Sequence, residues 1–319
     1  MDHGERSATI RTMNAFDEDL IRALQFDGRA PFSALAKQLG VHRTVVAQRV
    51  HELLESDEIR IIAAVPPRAL GLPLQVHLML RIAGPTQPVF EQLLEHGSVV
   101  FLTETIGQYQ AVVEIWAPDH EEVGRTVRAI RSIDGIVEVQ FGLYDRVLRR
   151  LRLGEDPELG EIVFDDFDIA LLARLQVDGR STFGELARHT GRSASACRAR
   201  VLRLLDAQMV RIGAVRGRRV ETGAVLAGIG IVLVGEQGAQ EAVEEMLLDI
   251  PTIEFAARTT GRYEMVATIA ARTIAQCTEI IRTVRAHPGV VLADSWVHAA
   301  LWCERYEWGI ERLARLRGA

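Results

Sequence analysis

Apolar positions recur at helical spacing near the start of the chain: Leu20, Ile21 and Leu24, then Leu35, Ala36 and Leu39, then Val46, Val50, Leu53 and Leu54. The spacing predicts three short helices. Asp27-Gly28-Arg29 stops the first, Ser33 can cap the second, and Gly40 supplies the tight turn before the third, which runs from about Arg43 to Glu55. Ile59 to Val65 is β-branched and reads as a strand or wing. The period then changes. Leu74–Ile82, Val99–Ile106, Ala111–Trp116 and Ile136–Leu143 read as strands, with helices at Val89–His96 and from the Asp119 cap to about Ile133. That order is β-α-β-β-α-β, the ferredoxin-like pattern.

The chain writes this pattern twice. From Phe16 to Ile61, 18 of 46 positions are identical to those 151 residues later, with no gap. Asp27-Gly28-Arg29 returns as Asp178-Gly179-Arg180, Gly40 as Gly191, and Arg49-Val50 as Arg200-Val201. This is an internal duplication. Strands at Val225–Val234, Ile253–Thr260, Met265–Ala270 and Val290–Ala300 and helices at Ala239–Leu248 and Ile274–Ala286 repeat the second module. The expected fold class is α+β: two winged helix-turn-helix domains alternating with two ferredoxin-like β-α-β-β-α-β domains. The expected boundaries are a disordered lead-in over 1–14, a helix-turn-helix domain over 15–66, a ferredoxin-like domain over 67–147 and a linker over 148–163. A second pair follows over 164–219 and 220–303, with a tail over 304–319 that reads as helical.

Composition narrows the class. At 319 residues, 48% hydrophobic and 25% charged, the chain can bury several cores. No apolar run is long enough to span a membrane, and residues 1–14 lack the apolar segment of a signal peptide. The cysteines, Cys197, Cys277 and Cys303, have neither metal-site nor disulfide spacing, which fits a reducing cytoplasm and no metal. Net charge is −6, but its distribution is uneven. Phe16–Arg68 holds 7 basic and 8 acidic residues, for −1, whereas Phe167–Arg219 holds 11 and 4, for +7. All but one of the basic residues are arginine, a bias that genome composition explains; the asymmetry between copies survives that objection.

Two helices joined by a glycine turn, the second with a polar free face, form the layout that sends its second helix into the DNA major groove. The candidate DNA-contacting residues are Arg43, Thr44, Gln48 and His51 in copy one. In copy two they are Ser193, Ser195, Arg198 and Arg203, with Arg216 and Arg218 suited to phosphates. Ser193 reads at least as well as a helix cap, and a solvated face or a plain helical bundle is the competing reading for the whole set.

The tandem arrangement resembles the Lrp/AsnC family of transcription regulators. The residues that carry the likeness are Leu24-Gln25-x-Asp27-Gly28-Arg29 and its copy, Leu35-Ala36, Gly40, Arg49-Val50, Leu53, Ile59 and Ser193-x-Ser195-Ala196-Cys197-x-x-Arg200-Val201. The resemblance covers nearly the whole chain, as two family units. It implies double-stranded DNA as partner, αβ modules that pair, and an amino-acid-like effector near a Gly-x-Tyr-Asp turn. The corresponding residues are Gly107 and Tyr109 in copy one, and Thr260, Gly261, Tyr263 and Glu264 in copy two. Gln110 and Glu264 replace the family's Asp. Paired modules in one chain imply a pseudo-dimer, with further self-association open. No cofactor and no enzymatic activity are expected. The alternative is a tetrapyrrole enzyme: sirohaem decarboxylases resemble the same two-domain unit, with a His-x-Tyr-Asn turn where this chain has Gln108-Tyr109-Gln110 and Arg262-Tyr263-Glu264.

Overall fold

The computed structural model describes residues 15–150, 164–216 and 225–305. Copy one begins with three helices, α1 (Ala15–Phe26), α2 (Phe32–Leu39) and α3 (Arg43–Glu55), and the strand β1 (Ile59–Ala64). A single helical turn, Pro67–Leu70, leads into β2 (Leu74–Ile82), α4 (Gln87–Glu95), β3 (Val99–Ile106), β4 (Ala111–Ala117), α5 (His120–Arg131) and β5 (Ile136–Arg150). Copy two repeats the order with α6 (Asp166–Val177), α7 (Phe183–Thr190), α8 (Ala194–Asp206) and β6 (Arg211–Arg216). It continues with β7 (Val225–Leu233), α9 (Ala239–Asp249), β8 (Ile253–Gly261), β9 (Met265–Ala271), α10 (Ile274–Ala286) and β10 (Val290–Glu304). The lead-in, residues 151–163 of the expected linker, and the tail from 306 lie outside the described residues.

The glycine turns form as the pattern requires. Gly40 and Gly191 both take left-handed backbone, φ 67° and 68°, at the ends of α2 and α7, a conformation that disfavours a side chain. Helix starts differ between copies. Thr182 and Glu185 make a reciprocal capping box on α7, whereas α2 starts behind Pro31, whose fixed φ presets the entry, with no side-chain cap. Ser33 is therefore inside α2 and does not cap it. Leu54, expected to face inward, sits at the rim of α3 with 36% exposure.

The two copies are built into one another. β1 and β6 pair antiparallel, with Ile62 opposite Gly213, its own counterpart 151 residues on, so a local twofold passes through that pair. One core runs through both helical modules and includes Leu20, Leu24, Val46, Leu53, Leu171, Leu175, Cys197 and Leu204. The two four-stranded sheets close into a single eight-stranded barrel through β5 against β8 and β10 against β3.

Closure depends on the last strand of each module, which overruns its own sheet. β5 continues through Arg150, so 148–150, expected as linker, are strand. Leu148 enters the core of the second sheet, and Arg149 donates to the carbonyls of Leu248, Ile250 and Ile253 at and just past the C-terminal end of α9. Reciprocally, Trp302 packs edge-on against Phe90 of copy one, 5.0 Å between ring centres, and Cys303 joins that core.

Candidate functional site

The two candidate reading helices rest on matched scaffolds. Arg49 of α3 donates to both carboxylate oxygens of Asp17, at 2.6 and 3.0 Å, and to Glu52 at 2.8 Å. Arg200 of α8 donates to Asp165 at 2.6 Å and to Asp168 at 3.0 Å. These charge-assisted bonds raise both guanidinium pKa values further above their ordinary range. The two arginines therefore pin each third helix to its first and are not DNA-contact candidates.

Beyond that scaffold the outward faces diverge. On α8, Ser195, Arg198, Ala199, Leu202, Arg203 and Asp206 line one open groove. Arg198 has no hydrogen bond or ion pair among the described residues. Arg203 reaches Asp168 only at 3.7 Å and its side chain is 56% exposed. Ser193 caps α8, accepting from the Ala196 amide at 3.1 Å, and lies 3.0 Å from the Ser195 hydroxyl. Arg216 ends β6, and Arg218 lies outside the described residues.

On α3 several candidates are already engaged. His42 caps the helix, and its Nδ1 lies 2.8 Å from the Thr44 hydroxyl. Gln48 donates to Glu52 at 3.0 Å and His51 lies 3.1 Å from Glu55. Arg43 is exposed and has no partner among the described residues.

The duplicated Asp-Gly-Arg loops serve a purpose beyond stopping a helix. Arg29 donates to the carbonyls of Gly179 and Ser181 at 2.7 and 3.0 Å, and Arg180 to those of Gly28 and Ala30 at 2.8 and 3.0 Å. The guanidinium groups lie over Phe183 and Phe32 of the opposite copy, at 4.9 and 4.5 Å. Gly28 and Gly179 donate their amides to Ile212 and Ile61. The retention of all three residues in both copies was the available signal, since glycine alone ends a helix.

The Gly-x-Tyr turns meet at the barrel junctions. Gly107 and Gly261 take φ 154° and 156°, and Gly261 lies opposite Gly142 of β5. Tyr109 and Tyr263 are buried. Tyr109 donates to Glu138 at 3.2 Å, and Tyr263 to Asp294 at 2.9 Å. Burial, reinforced by the Asp294 carboxylate, pushes the Tyr263 phenol up to about 12. Arg262 joins the copies, donating to Tyr263 at 3.0 Å, Asp294 at 3.3 Å and Tyr109 at 3.4 Å. Its counterpart in copy one is Gln108, so this bridge exists at one junction only.

A small cavity of about 20 Å³ lies beside it, lined by His77, Met79, Gln140, Phe141, Gly142 and, from copy two, Thr259, Arg262, Tyr263 and Val266. Thr260 donates to Asp145 at 2.8 Å. Glu264 does not line the cavity: its carboxylate accepts from the Leu233 amide at 3.1 Å, as the Gln110 side chain accepts from Ile82 at 3.0 Å. Both residues therefore tie their turn to the neighbouring strand.

With this geometry established, comparison with known proteins decides the family. The model of the AsnC-type helix-turn-helix domain matches residues 13–54 and 164–205. The HTH-type transcriptional regulator FL11 of Pyrococcus abyssi is 31% identical over 127 residues, 39% of this chain and 84% of its own length. The chain belongs to the Lrp/AsnC family. The regulator LrpA of Pyrococcus horikoshii is 32% identical over 131 residues, covering 39% of this chain and 89% of LrpA. Each relative thus spans about one of the two repeats, and the chain is a tandem Lrp/AsnC regulator. In fold, the siroheme decarboxylase NirDL, solved with an iron-uroporphyrin III analogue, superposes with TM-score 0.65 over 95% of this chain and 97% of its own, at 14% identity. Among the described residues, no helix is long and apolar enough to cross a membrane.

Proposed function

We propose that the protein is a sequence-specific DNA-binding regulator controlled by an amino-acid-like effector at the β5–β8 junction. The observation that carries the DNA reading is the open outward face of α8, where Arg198 stands unengaged between small neighbours. A free guanidinium there suits the paired acceptors of a guanine edge. Arg43, Thr44, Gln48, His51, Ser195 and Arg203 complete the contact set, with Arg216 and Arg218 on phosphates and Ser193 acting as a cap.

The effector reading rests on the β5–β8 cavity. Both copies contribute to it, and Tyr263 lines it beside a cation, Arg262, suited to a carboxylate; Tyr109 is hydrogen-bonded to that cation and Gly261 pairs with Gly142 of the lining. Phe141, 53% exposed, stands at its mouth. At about 20 Å³ it holds no more than a water, so effector entry requires the junction to open. Because β5 and β8 belong to different copies, opening here alters how the two repeats sit, and the reading helices with them.

The tetrapyrrole alternative fits less well. Trp296, Tyr144, Tyr263 and Val147 fill the barrel between the sheets, whereas ligand pockets run to roughly 300–1,000 Å³. The test is a gel-shift titration on selected DNA with and without each amino acid, together with visible spectra after incubation with a tetrapyrrole. An amino acid should change DNA affinity, and Arg262→Gln should abolish that response. A new absorbance band retained after gel filtration, with no DNA bound, would reverse the reading.

A further inference from the structure

Resting on the DNA-binding reading above, we propose that the two heads are unequal: α8 reads bases, α3 contributes backbone contacts at most, and the target is an asymmetric site with one specific half. The comparison is internally controlled, because the heads share their sequence framework, their Arg–Asp scaffold and one core. They differ where a groove-facing helix does its work.

Register by register, Ala47 of α3 stands where α8 has Arg198, and Glu52 stands where α8 has Arg203. The second exchange reverses a charge on the outward face. Glu52 also draws in Gln48, and Glu55 draws in His51, so two of α3's outward hydrogen-bonding side chains are held by acids of their own helix. Over the helices themselves, Arg43–Glu55 carries two arginines and two glutamates, net zero; Ala194–Asp206 carries three arginines and one aspartate, net +2. Two acidic groups brought against DNA phosphates oppose the counterion release that drives binding. A carboxylate on the reading face also lacks the paired donors that recognise guanine. Meanwhile the arginine clamps and the β1–β6 pairing join the two helical modules, so the weaker head is still carried to the duplex with the stronger one. Palindromic operators mirror two equal heads; this molecule has the twofold scaffold without equal heads on it.

The experiment is selection of bound fragments from a random duplex library with the full chain, followed by affinity measurements on the winning sequence. The selected site should contain one information-rich half with no inverted copy one or two helical turns away. Arg198→Ala should weaken binding by about 5- to 150-fold and flatten preference within that half, the range expected for a lost base-reading arginine. Arg43→Ala should leave base preference unchanged. The paired change Ala47→Arg with Glu52→Arg should extend sequence preference into the second half. An inverted repeat selected by the wild type, or equal losses from Arg198→Ala and Arg43→Ala, overturns the inequality while leaving DNA binding standing. Failure to enrich any sequence overturns both. Ala199→Glu, a change at an exposed position on the same face of α8 with no charged partner, repeats the copy-two arm in case Arg198→Ala lowers stability.

Discussion

Arg29 and Arg180 clamp each other's loops: each guanidinium donates to two backbone carbonyls of the opposite copy and lies over that copy's phenylalanine. Both are half-buried, and burial lowers their pKa values without discharging them. Their counter-ions Asp27 and Asp178 stand nearby. Hydrogen bonds from charged donors contribute about 1.5–3 kcal/mol each when a partly buried acceptor depends on them. Arg29→Ala and Arg180→Ala should therefore each cost about 2–4 kcal/mol in chemical denaturation. Because either change opens the same interface, the double variant should cost less than the sum. Additive losses would mean that the two loops are independent.

Arg200 tests a second point. Asp168, whose side chain is fully buried, is compensated by Arg200 at 3.0 Å and more distantly by Arg203. Removing one partner of a buried ion pair typically costs about 3–5 kcal/mol because the other charge is stranded. Arg200→Ala should lower the melting temperature, and DNA affinity should fall only as far as the folded fraction falls. Arg198→Ala should do the opposite, lowering affinity with no shift in melting temperature. Thermal melts and binding titrations on the same preparations separate the two roles.

The sequence made the repeat, the strands and the helices legible because apolar periodicity and glycine turns are local signals. What it hid was contact between residues about 150 apart. Asp27-Gly28-Arg29 read as a helix stop because Gly28 sufficed to explain it; only the fold brings Arg29 to Gly179. Arg149 and Arg150 made the end of β5 look like the start of a charged linker, yet Leu148 is buried and Arg149 binds carbonyls of the opposite copy. Strand alternation does not say which sheet edge a strand joins. Glu264 read as an effector ligand because its position follows the Gly-x-Tyr turn; the Leu233 amide that holds it lies on a strand 31 residues away.

Acid should loosen the barrel. His77 is buried, its ring 6.3 Å from Tyr144 and 6.0 Å from Trp296, and desolvation pushes its pKa down to about 4. Desolvation, with a smaller contribution from His77, pushes His298 to about 3. Both are neutral in the fold near neutral pH, whereas in the unfolded chain each takes a proton near 6.5. Between those values the unfolded state binds more protons, so stability rises with pH. It is fully present above about pH 6.5 and is lost as pH falls toward 4, by up to about 1.4 kcal/mol per unit for each histidine. Urea midpoints across this window should show a steeper decline for the wild type than for His77→Phe. Parallel lines would mean that His77 is protonated in the fold.

The barrel interior offers a repeat-based test of packing. His77 of β2 lies opposite Gly142 of β5, and the equivalent pair in copy two is Gly228 opposite Trp296. Large and small have changed places across the sheet. In copy two the indole occupies the space above Gly228, where an added Cβ would come within 2.1 Å of the ring. Gly228→Ala alone should therefore overpack the site and cost about 1–3 kcal/mol. Trp296→Ala alone should leave a hole and cost about 3–5 kcal/mol. Once the indole is gone, the three atoms nearest a methyl group at 228 go with it, and that methyl fills part of the hole. The double variant should then be no less stable than Trp296→Ala alone, so the two changes couple favourably by at least the cost of the glycine substitution. Denaturant midpoints of the four proteins read this out directly. Additive costs would mean that the strain at Gly228 comes from the β7 backbone and not from Trp296.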